Sequence, residues 1–178
     1  MVNVIEVKRK ICLIGDWRVG KTSLVKRFVL DQFDDDYLAT FGIKVIKKRI
    51  KYDINDDKII DLNLQIWDVM GQEDFKKAQM MAYRGARGAF IICDVTRRET
   101  LASVDRWQAE IYDITGEIPI IIIANKYDLK DQITFDVPDL EVVSKNLHSP
   151  YFLTSAKTGE NVNNAFRKLG NEIIKDYS

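Results

Sequence analysis

The chain has 178 residues, with 27 Lys plus Arg balanced by 27 Asp plus Glu and 46% hydrophobic residues. That balance argues against nucleic acid as a partner, no apolar run approaches membrane-spanning length, and the opening Met1-Val2-Asn3-Val4-Ile5-Glu6 lacks a signal-peptide layout. The length fits one domain over residues 1–178, expected to be a cytoplasmic monomer.

Apolar periodicity predicts a strand over residues 9–14 and a helix over 21–30. Strands over 43–52 and 59–67 come next with no helix between them. Their connection, Asp53-Ile54-Asn55-Asp56-Asp57-Lys58, is rich in turn residues and predicts an antiparallel hairpin. Then come a helix over 75–83, a strand over 89–94, a helix over 100–112 and a strand over 118–124. A helix over 139–147 with Pro138 at its start, a strand over 151–154 and a helix over 161–175 complete the chain. The apolar runs at 89–93 and 118–124 suit strands covered on both faces. The alternation predicts an α/β fold, a mainly parallel sheet with helices on both faces. Cys12 and Cys93 lie in apolar strand-like runs and read as small buried hydrophobes. His148, near a turn before Pro150, is given no catalytic role.

Residues 15–22, Gly15-Asp16-Trp17-Arg18-Val19-Gly20-Lys21-Thr22, fit the phosphate-loop pattern G-x-x-x-x-G-K-[ST]. Gly15 and Gly20 let the backbone curl so that successive N–H groups face phosphate. Lys21 supplies charge to the outer phosphates, the Thr22 hydroxyl can ligate Mg2+, and Ser23 opens the helix whose dipole favours the anion. In open sheets ligands bind beyond the carboxyl ends of strands, and the other motifs also come just after strands. Asp68-Val69-Met70-Gly71-Gln72 succeeds the third: Asp68 can hold Mg2+ through water, the Gly71 N–H can meet a terminal phosphate, and Gln72 can orient an attacking water. Asn125-Lys126-Tyr127-Asp128 succeeds the fifth; a carboxylate there accepts two guanine hydrogens that adenine does not offer, Asn125 braces the site and the Lys126 stem can cover the ring. Ser155-Ala156-Lys157 succeeds the last, where the Ala156 N–H can donate to guanine O6. A site built for those hydrogen bonds rejects a base that leaves them unmet. Thr40 in the loop after the first helix can reach Mg2+ and a γ-phosphate. Phe33 and Tyr37 in the same loop are candidate nucleotide contacts, Phe33 by stacking on the base edge.

Together these residues resemble the Ras superfamily of small GTPases over essentially the whole chain, and Leu64-Gln65-Ile66-Trp67 with Tyr83-Arg84-Gly85-Ala86 is most similar to the Rab branch. The resemblance implies a P-loop G-domain with a six-stranded sheet, one strand antiparallel, flanked by five helices. It implies GTP/GDP with Mg2+, slow hydrolysis assisted by Gln72, Lys21 and Gly71, and a switch in which loops around Thr40 and Gln72 are held by the γ-phosphate. Effector proteins, an exchange factor and a GTPase-activating protein are the partners it implies, with membrane trafficking as the setting.

The sequence departs from that family in places. Trp17 and Arg18 stand where small residues are usual. Trp17 either blocks an incoming arginine finger or displaces Gln72, or else lies outward over the switch loops; Arg18 either reaches the phosphates or is a solvated side chain. Residues 34–39 contain no arginine, so intrinsic turnover is expected to be slow. Val69-Met70 replaces the usual Thr-Ala. The tail Ile173-Ile174-Lys175-Asp176-Tyr177-Ser178 shows no prenylatable cysteine and Val2 stands where myristoylation needs glycine, so no lipid anchor is visible. The basic run Lys47-Lys48-Arg49 with Lys51 reads as charge guarding an exposed strand. The competing function is a guanine-nucleotide-binding interaction module with negligible hydrolysis, favoured by Trp17 and disfavoured by Gln72. An ATP-dependent phosphotransferase is disfavoured by Asn125–Asp128.

Overall fold

In the computed structural model, residues 2–31, 43–69 and 76–177 are described. The elements are β1 (Asn3–Ile14), α1 (Lys21–Leu30), β2 (Ile43–Asn55), β3 (Lys58–Val69), α2 (Lys76–Tyr83), β4 (Gly88–Asp94), α3 (Arg98–Ala102), α4 (Val104–Thr115), β5 (Ile120–Asn125), α5 (Val137–Asn146), β6 (Tyr151–Leu153) and α6 (Val162–Ile173). The strands form one sheet in the order β2-β3-β1-β4-β5-β6, in which only the β2–β3 pairing is antiparallel. The chain enters at β1, turns to one side for β3 and β2, and to the other for β4, β5 and β6. The carboxyl end of β1 therefore lies at the point where the strand order reverses, and the phosphate-loop sequence begins there.

Side-chain alternation sorts the central strands onto two cores. Ile11, Leu13, Phe90, Ile92, Ile121 and Ile123 face α1 and α6, where Phe28 and Phe166 stack with ring centroids 3.9 Å apart. Cys12, Ile14, Ala89, Ile91, Cys93, Ile120 and Ile122 join the core that holds Tyr83, Trp107, Ile111 and Leu140. Strands buried on both faces need apolar residues at every position, which explains the unbroken runs of β4 and β5. Both cysteines are buried and free, and burial pushes the Cys12 thiol up to about 12.

Several boundaries differ from the sequence expectation. β1 begins at Asn3 rather than residue 9, because its first half pairs with β3 from Asn3↔Lys58 onward. The β2–β3 turn is confined to Asp56-Asp57, with a register irregularity between Asp53 and Asn55 and the Asp57 N–H donating to Asn55 Oδ1 at 3.1 Å. The expected helix over 100–112 is two helices, which raises the count among the described residues from five to six. The break falls at Ser103, whose hydroxyl donates to Glu99 O at 3.1 Å beside the i→i−4 bond of its own N–H to the same carbonyl at 3.2 Å. α5 starts at Val137 behind an Asp136/Asp139 capping box with proline in its first turn, as the placement of Pro138 predicts. β2 is the sheet edge, and its Arg49 pairs with Asp61 at 2.5 Å and Glu6 at 3.0 Å. No helix among the described residues is long and apolar enough to cross a membrane.

Candidate functional site

The loop between β1 and α1 carries its own conformational signature. Gly15 has φ +137° and Gly20 φ +100°; a Cβ at Gly15 would lie 2.2 Å from the Ile92 carbonyl oxygen, and one at Gly20 would lie 2.3 Å from Asn125 Nδ2. Glycine is therefore required at both positions by backbone angle and by space. Lys21 is 7% exposed and folds back so that Nζ donates to Gly15 O at 2.8 Å and Asp16 O at 2.7 Å. Burial lowers its ammonium to about 8, against the opposing pull of Asp68 and Asp16. A cation held this dry, in a loop with two glycine-only positions, fits a phosphate anion. Thr22 Oγ1 donates to Asp68 Oδ2 at 2.5 Å, which joins the first turn of α1 to the end of β3. One hydroxyl beside one carboxylate fits Mg2+ completed by water and phosphate.

Trp17 is 37% exposed and carries the Arg18 guanidinium over its ring at 3.9 Å. Asp16 Oδ1 accepts from Trp107 Nε1 at 2.9 Å and Arg106 Nη2 at 3.3 Å, so α4 braces the loop. Val19 is buried and Ser23 is half-buried on α1.

Residues 125–128 and 155–157 meet the loop of residues 15–22 at one side chain. Asn125 is 1% exposed; its Nδ2 donates to Val19 O at 3.0 Å, and its Oδ1 accepts from Thr154 Oγ1 and Ala156 N, both at 3.2 Å. The Ala156 N–H, expected to face guanine O6, donates here to Asn125. Asp128 Oδ1 accepts from Ser155 Oγ at 2.6 Å, which fixes the carboxylate next to the Ser155-Ala156-Lys157 turn. Arg27 on α1, read in the sequence only as part of a helix, holds that turn from below: Nε donates to Ala156 O at 2.9 Å and Nη2 to Lys157 O at 2.6 Å. Phe33, Tyr37, Thr40, Gly71 and Gln72 lie outside the described residues.

Lys126 has a left-handed backbone, φ 67°, and its Nζ pairs with Asp94 Oδ2 at 2.5 Å. Asp94, at the end of β4, also accepts from the Thr96 N–H at 2.9 Å and Thr96 Oγ1 at 2.7 Å. Burial alone would raise the Asp94 carboxyl, but these bonds from Lys126 and Thr96 outweigh it and hold the group below the usual carboxylate range. The unfolded chain then has the higher value, so this stabilisation is complete above about pH 4 and fades as pH falls through the folded value. Asp94→Asn is expected to cost ~2–3 kcal/mol at pH 7, with the gap to wild type closing toward pH 3 in urea unfolding. A pH-independent gap would contradict the assignment.

The sequence profile of the Ras family matches residues 10–175. The chain is similar to the GTP-binding protein ypt5 of Schizosaccharomyces pombe, 36% identical over 173 residues, which cover 96% of this chain and 80% of that protein. It is similar to the Ras-related protein Rab11B of Nicotiana tabacum, 36% identical over 167 residues, covering 93% and 75% respectively. The Ras-related protein RABA1i of Arabidopsis thaliana is 35% identical over 170 residues, covering 95% and 76%. With the loop, the Thr22–Asp68 contact and the Asn125 junction in one crevice, the chain belongs to the Ras family and is a small GTPase, a GTP-hydrolysing switch most similar to Rab proteins.

Proposed function

We propose that this G-domain selects guanine nucleotide through Asn125, Lys126, Asp128, Ser155, Ala156 and Lys157, and holds its phosphates through residues 15–23. The observation that carries the reading is the buried Asn125 side chain, bonded at once to the phosphate loop and to the Ala156 amide. It makes the base pocket and the phosphate cradle parts of one rigid unit. Asp128, steadied by Ser155, accepts the two guanine hydrogens. Lys21 leaves the Gly15 and Asp16 carbonyls for the outer phosphates, and Thr22, Thr40 and Asp68 hold Mg2+. Bound Mg2+ supplies neutralisation of charge on the phosphate oxygens. Gln72 orients the attacking water, and Lys21 with the Gly71 N–H stabilises the transferred group; positioning and electrostatics do the catalysis. Phe33 and Tyr37 contact the nucleotide from the loop before Thr40. Effector proteins, an exchange factor and a GTPase-activating protein read and time the switch, in membrane traffic, with membrane contact made through partners or through chain beyond this sequence.

Single-turnover hydrolysis of GTP and ATP by the wild type, Gln72→Ala and Trp17→Gly tests these assignments. GTP is expected to be turned over slowly and ATP hardly bound, and Gln72→Ala is expected to lower the rate ~100-fold, the lower end of the range for loss of one positioned donor. Trp17→Gly is expected to stay within ~3-fold, because its ring is already engaged by the Arg18 guanidinium. Comparable ATP binding would sink the guanine assignment, an unchanged Gln72→Ala rate would sink the water-orienting role, and a large rise in Trp17→Gly would restore the blocking reading.

A further inference from the structure

Resting on the phosphate-loop reading above, we propose that Arg97 is a positioning residue. From the connection between β4 and α3 it holds the Trp17–Arg18 peptide so that the Arg18 N–H faces bound phosphate, and thereby lengthens nucleotide residence. Arg97 Nη2 donates to Trp17 O at 2.7 Å. The other side of the same guanidinium is seated: Nε donates to Asp94 Oδ2 at 3.3 Å, and the Arg97 backbone N–H donates to Asp94 O at 2.9 Å. Asp94 is itself fixed by Thr96 and Lys126.

A trans peptide points its C=O and its N–H in opposite directions. A donor clamped on the Trp17 carbonyl from outside therefore turns the Arg18 N–H inward. Two residues on, Asn125 Nδ2 does the same to the Val19 carbonyl at 3.0 Å and so turns in the Gly20 N–H. Successive inward N–H groups make an anion-binding concavity. The two ties differ in the residue next along the chain. Gly20 adopts its φ of +100° without a Cβ, whereas Arg18 holds φ +60° with one. A side-chain-bearing residue in the left-handed region is disfavoured, and it gains if the preceding peptide rotates away. Arg97 opposes that rotation. A chain with glycine at this position would not need the tie; this chain, with Trp17-Arg18, does.

The signature is an interaction between positions 97 and 18. Release of fluorescently labelled GDP from the full chain is measured for the wild type, Arg97→Ala, Arg97→Lys, Arg18→Gly and the Arg18→Gly/Arg97→Ala double variant. Hydrogen exchange over residues 15–20 is monitored in the nucleotide-free proteins. Arg97→Ala is expected to speed release at least ~10-fold and to raise exchange in the loop; Arg97→Lys, which keeps a donor and the charge, is expected to recover part of the loss and serves as the probe if the alanine variant folds poorly. In the Arg18→Gly background the same change is expected to cost less than ~3-fold, because glycine holds the loop angle unaided. Release within 2-fold of wild type in Arg97→Ala, or a full loss retained in the Arg18→Gly background, would overturn the proposal. The second result would instead assign Arg97 a purely electrostatic role. Failure of the wild type to take up GDP would overturn the nucleotide reading, while unchanged loop exchange in Arg97→Ala would overturn the tie alone.

Discussion

Asn125→Ala is expected to lower both folding stability, by ~3–4 kcal/mol, and guanine-nucleotide affinity, by at least ~100-fold. The side chain is 1% exposed and makes three hydrogen bonds, to Val19 O, Thr154 Oγ1 and Ala156 N. Truncation leaves the Val19 carbonyl and the Ala156 amide buried without that partner, and each orphaned group costs ~1–3 kcal/mol, more than the net worth of the bond itself. The small cavity adds to this. Affinity falls because the phosphate loop and the Ser155-Ala156-Lys157 turn no longer share a fixed separation. Chemical denaturation with and without GDP measures both effects. A variant that loses stability while binding GDP normally would show that the junction is structural and does not position the nucleotide.

Lys21→Ala is expected to behave in the opposite way. The residue is 7% exposed and its ammonium is satisfied by two loop carbonyls. Burial of that charge already works against the folded state, as its lowered pKa of about 8 records. Removing it is therefore expected to change the stability of the nucleotide-free protein by less than ~1 kcal/mol, since the lost bonds and the relieved desolvation offset each other. Affinity for GDP and GTP is expected to fall ~100- to 1,000-fold, the range for truncating one partner of a buried charge pair. Calorimetric binding set beside thermal unfolding of the nucleotide-free chain separates the two quantities. A variant that unfolds easily and yet binds nucleotide would contradict the account.

Local signals made much of the site legible. The two glycines, Lys21 and Thr22 sit within eight residues, and their spacing alone implies a curled loop at a helix N-terminus. Asp68, Asn125–Asp128 and Ser155–Lys157 each come just after an apolar run, and the sheet order then brings these strand ends to one edge. Apolar runs likewise predicted the strands. The parts that were not legible depend on contacts between distant segments. Arg27 reaches a turn 129 residues away, Arg97 reaches the loop 80 residues back, and Trp107 meets Asp16 across 91. In sequence such arginines are indistinguishable from solvated helix residues, because nothing local marks a guanidinium whose partner is a carbonyl on another element. The break at Ser103 was hidden for a related reason: a hydroxyl that shares the Glu99 carbonyl with the backbone N–H leaves the apolar period of the flanking helices intact.

The amino-acid sequence by itself determined the chemistry on offer: the G-x-x-x-x-G-K-[ST] loop, the Asp128 carboxylate after an apolar strand and the alternation that builds a parallel sheet. These are properties of residue type and short-range spacing, which backbone sterics and side-chain period translate directly. Only the tertiary structure decided how the loop is held. It seats Arg97 on Asp94 and against the Trp17 carbonyl, hangs Val19 from Asn125 and lays the Arg18 guanidinium over the Trp17 ring. Those outcomes rest on where packing of the two cores brings separate strand ends, and hydrogen-bond geometry a few tenths of an ångström wide is set by that packing rather than by any local pattern.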